Sequence, residues 1–229
     1  MSLPHKNEEY GTEVYWDKRY EQEAEDASFD WFKTYADVAH DIRKFIPSKD
    51  ARILMLGCGN SKFSEDVDIS SRICCVILLL TPSCEQMWED GYKNIVNVDY
   101  SPVVIEKMRN RHKDARPEMT WEVKDVRTLD GLDTSSFDVA IDKGTMDAMM
   151  TSSTDVWDPP EQVIKDCTAE VSQVIRVLKR NGIFIYITFG QPHFRRRYLT
   201  GPHITRNTSL EINQLGESFH YYMYTLRML

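Results

Sequence analysis

The sequence predicts an α/β fold: a doubly wound, mostly parallel sheet that ends in an antiparallel hairpin. Three observations lead there. Short apolar runs closing on Gly or Asp alternate with helical patterns as far as Gly190. The first run passes directly into a glycine turn, "LGCGNS" at 56–61. The tail, "SLEINQLGESFHYYMYTLRML" at 209–229, lacks helical spacing and reads as two paired strands.

Taken in order, "ARILMLGCGNS" sets a first strand at 52–56, apolar on both faces as a buried parallel strand must be. "KNIVNVDYS" (93–101) is the second strand, with Asp99 at its tip. "PVVIEKMRNRHK" (102–113) follows as a helix, with Pro102 in its first turn and basic residues at its end, both favoured by helix-terminus chemistry. "MTWEVKDV" (119–126) and "FDVAIDKGT" (137–145) supply strands three and four. In "PEQVIKDCTAEVSQVIRVLKRNG" (160–182), Val163, Cys167, Val171, Val174 and Val177 or Leu178 recur at helical spacing, with Gly182 close after the expected end. "IFIYITFG" (183–190) is the fifth strand, and the tail hairpin brings the number to seven. With no repeat and no low-complexity linker, residues 1–229 are expected to form one domain. Residues 1–50 are expected to be helices covering one side of its site.

The formal charge of −8 argues against a general nucleic-acid or anionic-membrane binder. The longest apolar run, Ile73 to Leu80, falls far short of the roughly 20 residues that span a bilayer. Five cysteines without framework spacing fit a reducing compartment, and the start of the chain shows neither an apolar leader nor a presequence pattern. A cytoplasmic location is expected. Cys74, Cys75 and Cys84 lack the paired spacing of a zinc site, so no metal is expected.

Chemistry concentrates at the strand tips. Gly57, Cys58, Gly59, Asn60 and Ser61 form a loop in which backbone N–H groups can approach a ligand. Asp99 is placed to accept the two ribose hydroxyls of a nucleoside, with Tyr100 beside it. Asp125 can receive an exocyclic amino group while Val126 offers backbone to the ring edge. A dinucleotide fingerprint would want glycine at position 62, where Lys62 stands, and an acid about twenty residues on. A nicotinamide enzyme is therefore disfavoured.

At this point the chain resembles class I S-adenosylmethionine-dependent methyltransferases, and within them the eukaryotic elongation factor 1A lysine methyltransferase group. The likeness rests on "YWDKRY" (15–20), "FDWF" (29–32), "LGCGNS" (56–61), "NVDYS" (97–101), "FDVAIDKGTMDAM" (137–149) and "FHYYMY" (219–224). The resemblance implies a sheet of order 3-2-1-4-5-7-6, S-adenosyl-L-methionine as cofactor, and a protein substrate such as elongation factor 1A. It also implies that Tyr15, Arg19 and Trp31 touch the cofactor. Met55 stands where many members of the wider family carry an acid. Asp142, at the end of strand four, is the expected catalytic residue, orienting the acceptor amine; its other reading is a cap on the turn before the Thr145 helix. Lys143 is expected to pair with Asp142 or a carbonyl, and Asp147 to be a solvated or capping acid. "HFRRRY" (193–198) is expected to be solvated, and "WDPPE" (157–161) simply to start a helix.

One stretch interrupts this pattern. Removing Val67 to Gln86 rejoins "GCGNSKFSED" to "MWEDGYKNIVNVDYS", restoring one amphipathic helix between the glycine loop and strand two. The removed segment is a whole number of codons, begins with valine, whose codons start GT, and ends with glutamine, which CAG encodes. The expectation is an insertion or a retained intron.

Overall fold

The computed structural model describes residues 4, 6–24, 27–61, 87–153, 155–216 and 220–229. The expected interruption at 67–86 lies outside the described residues, as does most of the helix expected across it. Met87–Gly91 form turns, in which the Tyr92 N–H donates to the Met87 carbonyl at 3.0 Å.

Seven strands join in the order β3-β2-β1-β4-β5-β7-β6, the order implied by the resemblance. They are β1 (Ile53–Leu56), β2 (Ile95–Asp99), β3 (Thr120–Val123), β4 (Phe137–Lys143), β5 (Leu178–Thr188), β6 (Thr208–Leu215) and β7 (Tyr221–Met228). β1 pairs in parallel with β2 and β4, whereas β7 runs antiparallel to both β5 and β6. Successive side chains of β1 serve opposite faces: Ile53 and Met55 join one core cluster, Leu54 and Leu56 the other. A strand apolar on both faces has no solvent side to offer, which fixes it at the centre of the sheet.

The first face is covered by α1 (Glu13–Gln22), α2 (Tyr35–Phe45) and α3 (Pro102–His112), the second by α4 (Thr145–Met150), α5 (Glu161–Val177) and α6 (Pro192–Leu199). α3 starts where the Ser101 hydroxyl accepts from the Val104 N–H, with Pro102 at the first position, whose missing N–H costs nothing there. α5 buries Val163, Cys167, Val171 and Val174 along one stripe, each side chain contributing about 1.5–3 kcal/mol on leaving water.

That helix ends at Val177, earlier than Gly182 suggests, and β5 begins at Leu178 rather than Ile183. The Arg206 guanidinium donates to the carbonyls of Ile175 and Leu178 at 3.1 and 2.6 Å, capping the helix end from the far side of β5. "HFRRRY" is also corrected. It lies in α6, where Arg196 and Arg197 are exposed but Arg195 is buried. No helix among the described residues is long and apolar enough to cross a membrane.

Candidate active site

The carboxyl ends of β1, β2, β3 and β4 and the N-terminal segment enclose a cavity of about 230 Å³. The glycine loop forms its floor. Gly57 and Gly59 both have φ of +53°, a left-handed conformation that side chains disfavour. A Cβ on Gly57 would stand 2.0 Å from Thr145 Oγ1, and one on Gly59 would meet the Tyr20 hydroxyl at 3.0 Å. Cys58 is buried in the loop, its N–H donating to the Val98 carbonyl at 3.0 Å. Asn60 Nδ2 donates to Glu23 Oε2 at 2.7 Å, and the Ser61 hydroxyl bonds Asp30, so side chains of the N-terminal segment secure the far end.

Asp99 enters the cavity at the tip of β2. Its Oδ2 accepts from the Gly59 N–H and its Oδ1 from the Ser101 N–H, each at 3.0 Å. Burial pushes this carboxyl up to about 6 against the lowering effect of those two bonds, with Asp17 adding to the rise. Tyr100 lines the same wall, its hydroxyl raised by burial and by the Asp99 charge. Asp125 and Val126 also line the cavity. Burial alone would raise Asp125, but Arg127 holds it below the usual carboxylate range: Nε and Nη2 reach Oδ2 at 3.0 and 2.6 Å. Arg127 lines the cavity too, and was not singled out from the sequence. Its spacing of two residues from a strand-tip acid was the available signal.

From α1, Trp16, Arg19 and Tyr20 face the cavity, with Trp31 and Phe29 from the segment that follows. Tyr15 is not among the lining residues. It packs edge-on against Tyr10 and Trp16 at 5.3 and 5.2 Å, one position off the cavity-facing stripe. The Arg19 guanidinium lies 4.8 Å from the Phe29 ring centre and 5.1 Å from that of Trp16, with Nε bonded to Glu23 at 2.8 Å. α2 contributes to the core rather than the cavity, its Tyr35 hydroxyl donating to Asp90 at 2.6 Å.

At the tip of β4 the geometry favours the second of the two readings of Asp142. Asp142 is wholly buried and absent from the cavity lining. Its Oδ1 accepts from the Thr145 N–H at 2.8 Å and its Oδ2 from the Met146 N–H at 2.9 Å, so the carboxylate caps α4. Direct orientation of an amine would require a face on the cavity, which this side chain lacks. Glu170 of α5 lies against it; neither Glu170 oxygen has another partner among the described residues. Burial raises both acids, Asp142 to about 6 and Glu170 well above its ordinary value, and their proximity adds to the Glu170 shift.

Lys143, Gly144 and Thr145 do face the cavity. Lys143 Nζ bonds Asp30 Oδ1 at 3.1 Å and the Trp31 carbonyl at 3.0 Å, not Asp142, and burial pulls it below the usual lysine range. Asp147 is neither solvated nor capping. Buried beneath β5, it accepts from Tyr186, Thr188 and Arg195 at 3.0, 2.7 and 2.7 Å. Among the described residues, no group of three or more His, Cys, Asp or Glu side chains could hold a metal ion.

A buried carboxylate, a backbone cradle that side chains would obstruct, and an apolar wall of Met55, Leu56 and Val126 fit a nucleoside with a short charged arm. Comparison with known proteins agrees. Residues 47–223 match the family model described as "Methyltransferase domain". The chain is 33% identical to EEF1A lysine methyltransferase 4 of Mus musculus over 98% of this chain and 78% of that one. It is 32% identical to the eEF1A lysine and N-terminal methyltransferase of Mus musculus, over 85% of this chain and 24% of that one. The fold is shared with N-methyltransferase NodS of Bradyrhizobium japonicum, solved with S-adenosyl-L-homocysteine: TM-score 0.54, 14% identity, 93% of this chain and 98% of that one. Sheet order, cavity and family match converge, and the chain belongs to the class I S-adenosylmethionine-dependent methyltransferases.

Proposed function

We propose that this methyltransferase acts on lysine side chains of a protein, with elongation factor 1A the first acceptor to test. The observation that carries this reading is the similarity to EEF1A lysine methyltransferase 4, which runs through 98% of the chain. In this reading Gly57, Cys58, Gly59, Asn60 and Ser61 cradle the cofactor, and Asp99 accepts its ribose hydroxyls. Tyr100, Asp125 and Val126 border the base, while Arg19 and Trp31 close over the other end. Tyr15 acts at one remove, by packing Tyr10 and Trp16.

When bound, the cofactor supplies a methyl group on a sulfonium that leaves as a neutral thioether. The acceptor nitrogen forms the new N–C bond as the S–C bond breaks. One proton leaves overall, the one an acceptor ammonium gives up to solvent before it takes the methyl. The protein's task is alignment and exclusion of water rather than nucleophilic catalysis. A lysine ammonium, with a solution pKa of about 10.4, must first lose a proton. Desolvation favours that loss, as burial of Lys143 illustrates in the same wall. Asp142 is then a positioning residue, setting the Thr145 turn against the glycine loop. A reducing compartment such as the cytoplasm, expected from cysteines without framework spacing, is the location that goes with this reading.

The test is to incubate the purified chain with labelled S-adenosylmethionine and either elongation factor 1A or cell extract. Label on a lysine of the factor, located by mass spectrometry, is the expected outcome. Label only in low-mass material would replace this reading with a small-molecule methyltransferase. Cofactor binding without label anywhere would leave a binding module.

A further inference from the structure

Glu170 has no part in the reaction described above, yet its carboxyl meets that of Asp142. It projects from the middle of α5 and is wholly buried, in a stripe otherwise built from Val163, Cys167, Val171 and Val174. Both of its oxygens are shut off from water, and neither takes a hydrogen from any other described group. A charged carboxylate in such a place is costly, and an apolar side chain would fill the space more cheaply.

The donors nearby are committed elsewhere. Arg195 gives Nη2 to Asp147 at 2.7 Å and Nε to the Tyr186 hydroxyl at 3.0 Å, while Arg127 holds Asp125 through Nε and Nη2. What faces Glu170 is acidic: Asp142 from β4, Asp147 from α4 and Asp125 from beyond β3, with the Cys167 thiol one turn earlier on its own helix. Two carboxyls in contact in a dry site cannot both ionise. Asp142 has the Thr145 and Met146 N–H groups to stabilise its charge and Glu170 has no such donor, so the proton of the pair belongs on Glu170.

A neutral Glu170 is itself a donor. Its O–H adds a third hydrogen bond to the Asp142 carboxylate, from α5, beside the two from the start of α4. The effect reaches the cofactor cavity through Thr145, which lines it. Thr145 Oγ1 donates to the Leu56 carbonyl at 3.1 Å, immediately before the glycine loop, and the same hydroxyl leaves Gly57 no room for a Cβ.

We propose that Glu170 is a positioning residue for cofactor binding: as a neutral acid it donates to the Asp142 carboxylate and so holds the Thr145 turn against the glycine loop. This follows from membership of the methyltransferase family and is independent of which acceptor is methylated.

The test compares Glu170→Gln, which keeps a neutral donor of the same length, with Glu170→Leu, which fills the space and donates nothing. Infrared spectra of the full chain at pH 7.5 should show a protonated-carboxyl C=O band that disappears in Glu170→Gln. Calorimetric titration with S-adenosyl-L-homocysteine should give a Kd within about twofold of wild type for Glu170→Gln, and one about tenfold weaker for Glu170→Leu. In both variants the fall in urea stability from pH 5 to pH 7.5 should shrink, because the proton that only the folded chain retains over that range is gone. The two variants thus share the pH effect and differ in cofactor affinity. A merely space-filling Glu170 would let the leucine variant bind cofactor as well as wild type. That result, equal weakening in both variants, or an infrared band untouched by Glu170→Gln would overturn the proposal. Glu170→Met replaces the leucine variant if that fails to fold, and the infrared comparison requires neither.

Discussion

Gly57 shows how far a single atom can reach. Its φ of +53° costs a side chain about 1–2 kcal/mol, and the added methyl of Gly57→Ala would meet Thr145 Oγ1, which is itself bonded to the Leu56 carbonyl at 3.1 Å. Urea unfolding should find this variant less stable by at least about 2 kcal/mol, with cofactor affinity lost in step. Asp142→Asn separates capping from chemistry. The amide can accept at one oxygen only, so one of the Thr145 and Met146 N–H groups faces a donor, a loss of about 1–3 kcal/mol. The expected result is a lower melting temperature together with a weaker cofactor Kd. An unchanged melting temperature with only the acceptor KM raised would return Asp142 to direct contact with the amine. Sequence alone did not separate these two roles, because an acid at a strand tip can face the cavity or the next helix. Tyr15 was legible only as part of an aromatic stripe. One residue is about 100° around a helix, enough to give the cavity to Trp16 and Tyr20 instead.

At the scale of elements, β1 was legible because a strand buried on both faces carries an unbroken apolar run, β2 and β4 because their apolar runs are broken only at Asn97 and Asp138 before the acidic tips, and α5 because its stripe has helical period. The end of α5 was not legible, since the guanidinium that caps it comes from Arg206, well downstream. Nor was the Asp147–Arg195 pair: nothing local marks which of three consecutive arginines turns inward. The segment Val67–Gln86 is a question of the same scale. Its flanks are already committed, with Ser61 bonded to Asp30 on one side and Met87 and Tyr92 wholly buried on the other. The apolar, β-prone "ICCVILLL" is an aggregation hazard wherever it is exposed. Deleting 67–86 should therefore raise the melting temperature and reduce light scattering on heating, with cofactor affinity retained. Loss of cofactor binding on deletion would make the segment part of the site. Sequencing the transcript across this point tests separately whether it is translated.

Three acids buried among the described residues, Asp99, Asp142 and Glu170, set much of the pH dependence of the molecule as a whole. Asp99 and Asp142 are each raised to about 6, and Glu170 is raised well above its ordinary value. Between about pH 4 and 6 the folded chain holds protons on these groups that the unfolded chain has released, so stability falls as pH rises through that window. Asp90, Asp125 and Asp138 work the other way. Their folded values are lowered by Arg43, Tyr35 and Lys49, by Arg127, and by Lys179, so the stability they contribute is lost only as pH falls below the ordinary aspartate range. The cofactor-free protein is therefore expected to be more resistant to urea near about pH 5 than near pH 7.5, and Asp99→Asn should shrink that difference. Cofactor reverses the preference. Ribose hydroxyls donate to the ionised form of Asp99, so the rise in melting temperature on adding S-adenosylmethionine should be larger at pH 7.5 than at pH 5. If Asp99 does not receive the ribose, the cofactor-induced rise will show the same pH dependence in Asp99→Asn as in the wild type. If it does, the variant's rise will be small at both pH values, and the free protein's acid preference will stand as the energetic cost of keeping a carboxylate ready in a dry site.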